Sequence, residues 1–257
     1  MSCTGQVVWI LGLGYLGRSL AAQCQAAGAR VFTIDVSAAA GADMCADASH
    51  PDSIADALGV TGIPSAIFCC LATHGGTVPD YDNCYRRTAQ TLSAAGLAAR
   101  CVFCSSSSLY AGLSERSSVL AAAEQLILSA GGCVARLAPL YGPARCELLR
   151  RHLIGAPCLH GSPSRVLNYV HVEDAAAALR ILAHARVSGV YAVCGESFTK
   201  KEAYSLLEQI SGIPTAGTSS APGRRCATSL PLDSTPLRTL GWVPSHSFAS
   251  FVAQVSR

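Results

Sequence analysis

The sequence has little charge and almost no lysine. Only 14% of its 257 residues are charged, and its 19 lysines and arginines exceed its 16 aspartates and glutamates by three. No basic run is longer than a pair, which argues against nucleic acid or an anionic membrane as the main partner. The lysines are Lys200 and Lys201 alone. Chemistry that needs a lysine elsewhere in the chain is therefore excluded.

Long apolar runs and several catalytic signatures are also missing. No apolar stretch reaches the roughly 18 residues that a transmembrane helix needs, and residues 1–6 lack the basic start of a signal peptide. Neither a G-x-S-x-G turn, nor a P-loop, nor a metal-ligand spacing is present. We therefore expect a cytoplasmic protein that binds no metal, membrane or nucleic acid.

The 13 cysteines do not form a convincing disulfide pattern, because their number is odd and the chain is long enough to need no staples. Cys69, Cys70, Cys101 and Cys104 lie in apolar runs, where cysteine behaves as a small buried hydrophobe. Cys101 and Cys104 form a C-x-x-C spacing, but within a predicted strand, which is poor geometry for a shared metal. We expect structural thiols in a reducing cytoplasm.

Short apolar segments alternate with Ala- and Leu-rich segments of helical length, as in α/β proteins. Near-continuous apolar strands favour a parallel sheet covered on both faces, which predicts a doubly wound Rossmann fold. The predicted strands are 7–11, 30–35, 65–71, 100–105, 133–138 and 190–194. The predicted helices are 16–27, 53–58, 80–95, 117–128, 172–185 and 200–210.

The pattern changes after residue 143. Segments 155–164 and 212–223 are rich in Gly, Pro and Ser, which is typical of loops that leave the sheet. We therefore predict a dinucleotide-binding core over 1–143 and a small, discontinuous substrate lobe over 144–257. Residues 165–195 are predicted to return to the core.

A glycine-rich turn follows the first predicted strand. Gly12, Gly14 and Gly17 form G-x-G-x-x-G between a strand and a helix, the arrangement that brings a pyrophosphate onto a helix N-terminus. Asp35 ends the second strand, where a carboxylate binds the ribose hydroxyls and repels a 2′-phosphate. No Arg follows Asp35 closely, so the sequence favours NAD over NADP. The alternative is an ordinary glycine turn with a surface aspartate.

Motifs along nearly the whole chain resemble the extended short-chain dehydrogenase/reductase superfamily, in its NAD-dependent epimerase/dehydratase branch. They are the glycine turn, Cys45-Ala-Asp47, Leu71-Ala-Thr73, Ser105-Ser-Ser-Ser-Leu-Tyr-Ala111, Ala135-Arg-Leu-Ala-Pro-Leu-Tyr-Gly-Pro143, Asn168-Tyr-Val-His-Val-Glu-Asp174 and Leu240-Gly-Trp-Val-Pro244.

The resemblance implies a set of cofactor contacts and a catalytic serine. Ser106 takes the catalytic Ser/Thr position. The residues implied at the cofactor are Gly12, Gly14, Tyr15, Leu16, Gly17, Asp35, Asp47 (at the adenine), Leu71, Ala72, Thr73, Ser105, Arg116 and Pro139.

The chain departs from the family at its Tyr-x-x-x-Lys pair. Anchoring on Glu124 puts Leu120 at the Lys position and Arg116 at the Tyr position. In the family that Lys holds the nicotinamide ribose and lowers the Tyr pKa, so that the Tyr acts as acid and base. Arg116 supplies a fixed charge but carries protons poorly. Tyr110 and Tyr141 are the candidate replacement acids, and the alternative is that both simply pack.

Substrate contacts are predicted at the carboxyl edge of the sheet and in the small lobe. His74, Ser107, Arg165 and Asn168 are the candidates, with Arg165 suited to the diphosphate of a nucleotide sugar. The lobe is short, so a smaller substrate stays open, and so does a homodimer. Two functions follow: an NAD-dependent oxidoreductase or epimerase acting on a sugar-like hydroxyl or carbonyl substrate, or an inactive NAD(H)-binding sensor or structural subunit.

Overall fold

The computed structural model describes residues 5–73, 76–112, 114–155, 159–160, 162–215, 218–219 and 230–255. Its strands are β1 Val7–Leu11, β2 Arg30–Asp35, β3 Met44–Cys45, β4 Ala66–Cys69, β5 Cys101–Ser106, β6 Cys133–Leu137, β7 Leu140–Tyr141, β8 Leu159–His160, β9 Val166–His171, β10 Gly189–Val193, β11 Glu196–Thr199 and β12 Thr218–Ser219. Its α-helices are α1 Tyr15–Ala26, α2 Pro51–Thr61, α3 Val78–Tyr81, α4 Thr88–Ala94, α5 Glu115–Ser129, α6 Glu147–Leu153, α7 Val172–Ala185, α8 Lys200–Ser211, α9 Thr235–Thr239 and α10 Phe248–Val255.

Seven strands form one parallel sheet in the order β10-β6-β5-β4-β1-β2-β3. The doubly wound Rossmann fold predicted from the sequence is confirmed. The chain turns back at β1, which lies between β2 and β4. Ligands of such sheets bind at the carboxyl ends of the strands beside this switch point. The fold therefore assigns the ligand edge to the residues that follow β1, β2, β4, β5 and β6.

The central strands are buried on both faces, which explains their unbroken apolar sequence. In β1, Val8 and Ile10 pack in the core beneath α1 and α7, whereas Trp9 and Leu11 pack in the core beneath α2, α4 and α5. All four side chains are at most 5% exposed. This two-faced burial holds the start of α1 in a fixed position over the sheet.

A small lobe lies beside the sheet and has its own core. Strands β11, β9 and β7 form a three-stranded sheet. The lobe core contains Tyr141 and Phe248 together with residues of α6, α8 and α10. β7, β9, α6 and α10 were not predicted from the sequence: β7 and α6 are short, and β9 and α10 follow segments rich in Pro and Ser. Strand β9 lies in this sheet, while α7 and β10 return to the large one.

The predicted helix 80–95 is helical in the structure but is not a single α-helix. The structure begins α3 at Val78, continues as a π-helix over Asp82–Arg87 and ends as α4. Thr77 caps the helix, because its backbone N–H and its hydroxyl donate to Asp80 Oδ2 at 2.6 and 2.8 Å. In the described parts of the chain, no helix has the length and apolar character needed to cross a membrane.

Candidate active site

The glycine turn is built so that only glycine fits at two of its positions. Gly12 has φ +94°, and a Cβ there would lie 2.7 Å from the Cys70 carbonyl oxygen. A Cβ on Gly17 would lie 2.0 Å from the Gly12 carbonyl oxygen. These two glycines therefore bring β1, β4 and α1 together as closely as backbones can approach.

Gly14 has a different role, because the space around it is open. Apart from its two chain neighbours, no atom of the described residues lies within 4 Å of the position that its Cβ would take. Gly14 caps α1 without a side-chain hydrogen bond, and the first turn of α1 contains no acidic residue. The first amides of the helix thus face an open cradle with the partial positive charge of the helix end. This cradle fits a pyrophosphate.

Asp35 lies beside this cradle and is held by backbone amides. Its Oδ2 accepts from the Leu13 N–H at 2.7 Å, and its Oδ1 accepts from the Ser37 N–H at 2.8 Å. Each carboxylate oxygen has a second lone pair left for a ligand hydroxyl. Arg18, which sequence analysis did not select, donates to the Ala40 carbonyl at 2.7 Å and so shapes the loop that follows Asp35.

Asp47 follows β3 and bridges two elements. Its Oδ1 accepts from the Ser49 N–H at 2.8 Å, and its Oδ2 accepts from Asn83 Nδ2 at 3.2 Å. Partial burial opposes ionisation, yet the hydrogen bonds from Ser49 and Asn83 hold the pKa of Asp47 below its usual value. Sequence analysis missed Asn83, because the π-helix that brings it to Asp47 has no sequence pattern of its own.

The segment after β4 lines the neighbouring part of the edge. Leu71 and Thr73 are half-buried there, and Ala72 is exposed. The Tyr85 hydroxyl is hydrogen-bonded to Thr73, and burial raises the pKa of Tyr85 to about 12. Its ring packs against Phe103 of β5, with ring centroids 6.3 Å apart. Tyr85 therefore serves as a support for Thr73 rather than as part of a solvated helix face. The predicted substrate residue His74 lies outside the described residues.

Three serines at the end of β5 differ in their hydrogen bonding. Ser106 accepts the Ser108 N–H through Oγ at 3.1 Å, which caps the following 3₁₀ turn. The Ser105 hydroxyl is buried without a hydrogen-bond partner among the described residues. Ser107 is 7% exposed. The Ser106 hydroxyl keeps its own proton available for a ligand at this edge.

Tyr110 lies beside a buried ion pair. Arg136 forms a bidentate bridge to Glu124, with Nε–Oε1 3.0 Å and Nη2–Oε2 2.6 Å, and Glu124 is 1% exposed. The Arg136 guanidinium also lies 4.8 Å from the centroid of the Tyr110 ring. Tyr110 itself is 41% exposed. This pair fixes one side of Tyr110 and leaves the rest of the side chain open to solvent.

The two positions aligned with Tyr-x-x-x-Lys have different surroundings. Leu120 is 5% exposed and packs in the core beneath α5. Arg116 is solvent-exposed at the start of α5, where Nη1 donates to the Gly76 carbonyl at 3.2 Å. Its guanidinium lies 5.8 Å from the Tyr81 ring centroid. Arg116 therefore links α5 to the segment that follows β4.

Tyr141 lies inside the aromatic core of the small lobe. Its ring is 1% exposed, with centroids 5.2 Å from His171, 5.5 Å from Phe248 and 5.3 Å from Phe251. Burial raises the pKa of Tyr141, and its hydroxyl has no partner among the described residues. An enclosed phenol with a raised pKa is poorly suited to exchange protons with a substrate. The structure thus favours packing for Tyr141.

Tyr15 and Pro139 connect the core to the small lobe. The Tyr15 hydroxyl donates to the Pro143 carbonyl at 3.1 Å, so this side chain turns away from the glycine turn. Leu16 is 7% exposed and packs in the core, which leaves its backbone amide as the group facing the cradle. Pro139 is exposed just after β6, and its carbonyl accepts from the Val170 N–H at 3.2 Å.

The two predicted substrate residues of the small lobe have contrasting surroundings. The Asn168 amide is used inside the protein: its Nδ2 donates to the Leu230 carbonyl at 3.2 Å, and its Oδ1 accepts from Ser197 Oγ at 2.6 Å and from the Leu232 N–H at 3.1 Å. Arg165, by contrast, has a buried Nε without a hydrogen-bond partner among the described residues. Of the two side chains, that of Arg165 is the less fully hydrogen-bonded within the described residues.

One histidine-carboxylate group has ligand atoms within 4.8 Å of one another: His171, Glu173 and His246. The two imidazoles are stacked, with centroids 3.9 Å apart, so their lone pairs do not converge on a common ion. His171 Nδ1 accepts the Glu173 N–H at 3.3 Å and caps α7. His246 bridges Asp174 at 3.0 Å and Glu173 at 3.2 Å. This group ties the C-terminal segment to the start of α7.

No family model matches the sequence, and no curated protein matches it. Solved structures do share the fold. WbmG of Bordetella bronchiseptica in complex with NAD superposes with a TM-score of 0.79 at 18% identity, over 99% of this chain and 94% of that one. MoeE5 in complex with UDP-glucose and NAD gives 0.76 at 21%, over 96% of each chain. The UDP-glucose 4-epimerase of Thermus thermophilus, also with NAD, gives 0.77 at 19%, over 97% of each chain.

Proposed function

We propose that this chain is an NAD(H)-dependent oxidoreductase or epimerase-type enzyme that acts on a sugar-like hydroxyl or carbonyl substrate. The observation that carries the proposal is the open cradle at Gly14, between the bare N-terminus of α1 and the carboxylate of Asp35. Its residue types and geometry suit the pyrophosphate and ribose of a dinucleotide. Complexes with NAD among proteins of the same fold support this proposal.

The protein groups would divide the work as follows. The first amides of α1 bind the pyrophosphate, and the spare lone pairs of Asp35 accept the ribose hydroxyls. Asp47 faces the adenine, and Leu71, Ala72, Thr73, Ser105, Arg116 and Pro139 line the rest of the cofactor. NAD supplies hydride transfer when it is bound. Ser106 donates its proton in a hydrogen bond to the reacting oxygen, with Ser107 beside it.

Proton transfer needs a group other than a lysine-activated tyrosine. Tyr110 is the candidate because it is partly exposed, whereas Tyr141 is enclosed. For the substrate, the planar guanidinium of Arg165 suits a diphosphate, which favours a nucleotide sugar. MoeE5 was solved with UDP-glucose and with UDP-glucuronic acid.

The second candidate function is an NAD(H)-binding sensor or structural subunit. The observation in its favour is the surroundings of the aligned Lys and Tyr positions, where Leu120 packs in the core and Arg116 bonds a loop carbonyl. Such a protein keeps the cofactor cradle and has no chemistry to perform.

Three variants separate the two functions: Ser106→Ala, Tyr110→Phe and Tyr141→Phe. Each is incubated with NAD and a panel of UDP- and dTDP-sugars, and both product formation and transient NADH absorbance are followed. An enzyme loses roughly 10²-fold of its turnover in Ser106→Ala, with NADH affinity nearly unchanged. The turnover of Tyr110→Phe also falls, and the turnover of Tyr141→Phe stays close to that of the wild type. Wild-type protein that binds NADH but converts none of the sugars supports the sensor, and full activity in all three variants contradicts the placement of the active site.

A further inference from the structure

A cavity opens at the amino edge of the sheet, away from the glycine turn. Its volume is about 420 Å³, and it lies between the sheet and the helices α1 and α7. Val8 and Ala66, near the starts of β1 and β4, form part of its floor. The glycine turn follows the other end of β1. The cavity is therefore separate from the proposed cofactor site.

Short side chains create this cavity. Cys24 near the end of α1, Ala29 before β2, and Ala177 and Ala183 of α7 all line it. A longer side chain at any of these positions would project into the space. The floor is apolar and well buried, since Phe68 is 2% exposed and Val8 is 5% exposed. A volume of this size with apolar walls is typical of a small-molecule site.

The charged groups around the cavity all have one sign. The described residues that line it include the cations Arg180 and Arg186 and the imidazole of His184, and none of these described residues is acidic. In the portion of the chain that the structure describes, the guanidinium groups of Arg180 and Arg186 have no hydrogen bond or ion pair. The end of α7 at Ala185 contributes a partial negative charge of about one half, which is smaller than the two full positive charges.

We propose that this cavity binds an amphipathic anion, of the class of medium-chain fatty carboxylates. The hydrocarbon chain would lie over Phe68 and Val8, where burial of each methylene is favourable. The carboxylate would bind Arg180 and Arg186 at the opening of the cavity, because guanidinium groups offer paired N–H donors in the geometry that suits a carboxylate. The positive charges of Arg180 and Arg186 favour an anion over a neutral or cationic ligand, and the apolar floor favours a ligand with a hydrocarbon chain.

Calorimetric titration with monomeric decanoate tests the proposal, with and without saturating NADH. We expect one decanoate per chain, bound equally well in both conditions. Octanoate should bind roughly 15-fold more weakly, because it lacks two methylenes. Decanol should bind at least about tenfold more weakly than decanoate, the scale of one charged hydrogen bond.

Variants locate the ligand. Arg180→Gln should weaken decanoate binding at least about tenfold, and Ala177→Leu should also weaken it, because the larger side chain occupies part of the cavity. Arg87→Gln is the matched control, since Arg87 is exposed on the π-helix and outside the lining, and it should bind like wild type. The proposal is overturned if wild type does not bind decanoate, if Arg180→Gln binds it equally, or if NADH displaces it. A wild-type dimer that Ala177→Leu dissociates would also overturn it, because a second copy would then cover the cavity.

Discussion

The glycine turn permits a quantitative prediction, because its three glycines have different surroundings. In Gly17→Ala the new methyl would lie 2.0 Å from the Gly12 carbonyl oxygen, where ordinary contact begins near 3.4 Å. The start of α1 must therefore move by about 1.4 Å. Overpacking of a well-packed region costs about 1–3 kcal/mol. For a chain of this length that cost lowers the unfolding temperature by roughly 2–12 °C.

Gly14→Ala should behave in the opposite way. Beyond its chain neighbours, its methyl would meet no atom of the described residues within 4 Å, and its φ of −78° suits alanine, so the unfolding temperature should change by at most a few degrees. The same methyl projects into the cradle, and NADH affinity should fall at least about tenfold. Gly59→Ala is the control. Gly59 lies in α2 with no atom within 4 Å, so this change should stabilise the protein by about 0.5–1 kcal/mol and leave NADH binding unchanged.

Thermal unfolding followed by circular dichroism and calorimetric titration with NADH measure both effects. Two results would contradict these roles of Gly17 and Gly14. Unchanged stability in Gly17→Ala would mean that α1 does not pack on the turn as described. Full NADH affinity in Gly14→Ala would mean that the pyrophosphate does not approach the helix here.

Two further predictions concern redox state and pH. None of the ten cysteines in the described residues forms a disulfide, and the sulfurs of Cys69 and Cys101 lie 3.3 Å apart. The unfolding temperature should therefore be the same with and without reductant, and elemental analysis should find no stoichiometric zinc. A large loss of stability on reduction would contradict this prediction. Burial, with the nearby His246, lowers the pKa of His171, so the folded protein takes up this proton less readily than the unfolded chain. The contribution of neutral His171 to the free energy of unfolding is therefore complete above the unfolded-state pKa of about 6.5. It is lost as the pH falls through the lower pKa that His171 has in the folded protein. His171→Asn keeps a capping side chain, and its unfolding temperature should fall less than that of wild type between pH 7.5 and 5.5; equal slopes would rule out His171 as the source.

The elements that position the cofactor cradle were predictable from the sequence, because each has a strong local signal. β1, β2 and α7 have the predicted bounds, and the glycine turn joins β1 to α1 as expected. β1 and β2 are apolar strands largely buried in the sheet, and α7 has 14 residues with one buried apolar face, so tertiary packing agrees with local pattern.

The small lobe and the proton-transfer groups could not be predicted in the same way. β7 has two residues and α6 has seven, too few for a periodic pattern. Tyr110 and Tyr141 each follow a leucine after a predicted strand. Tyr110 is nevertheless partly exposed beside Arg136, whereas Tyr141 is enclosed by rings of β9 and α10. That difference comes from contacts between residues distant in the chain, which no local pattern encodes.

The relative affinity for NADH and NADPH shows whether the cradle and Asp35 form an NAD(H) site. Calorimetry on the wild type should give an affinity for NADH at least about tenfold higher than for NADPH, because in the proposed site the Asp35 carboxylate would accept the ribose hydroxyls and repel a 2′-phosphate. Asp35→Ala should narrow that difference. If neither nucleotide binds, or if NADPH binds as tightly as NADH or more tightly, the proposed NAD(H) site at the cradle and Asp35 is wrong.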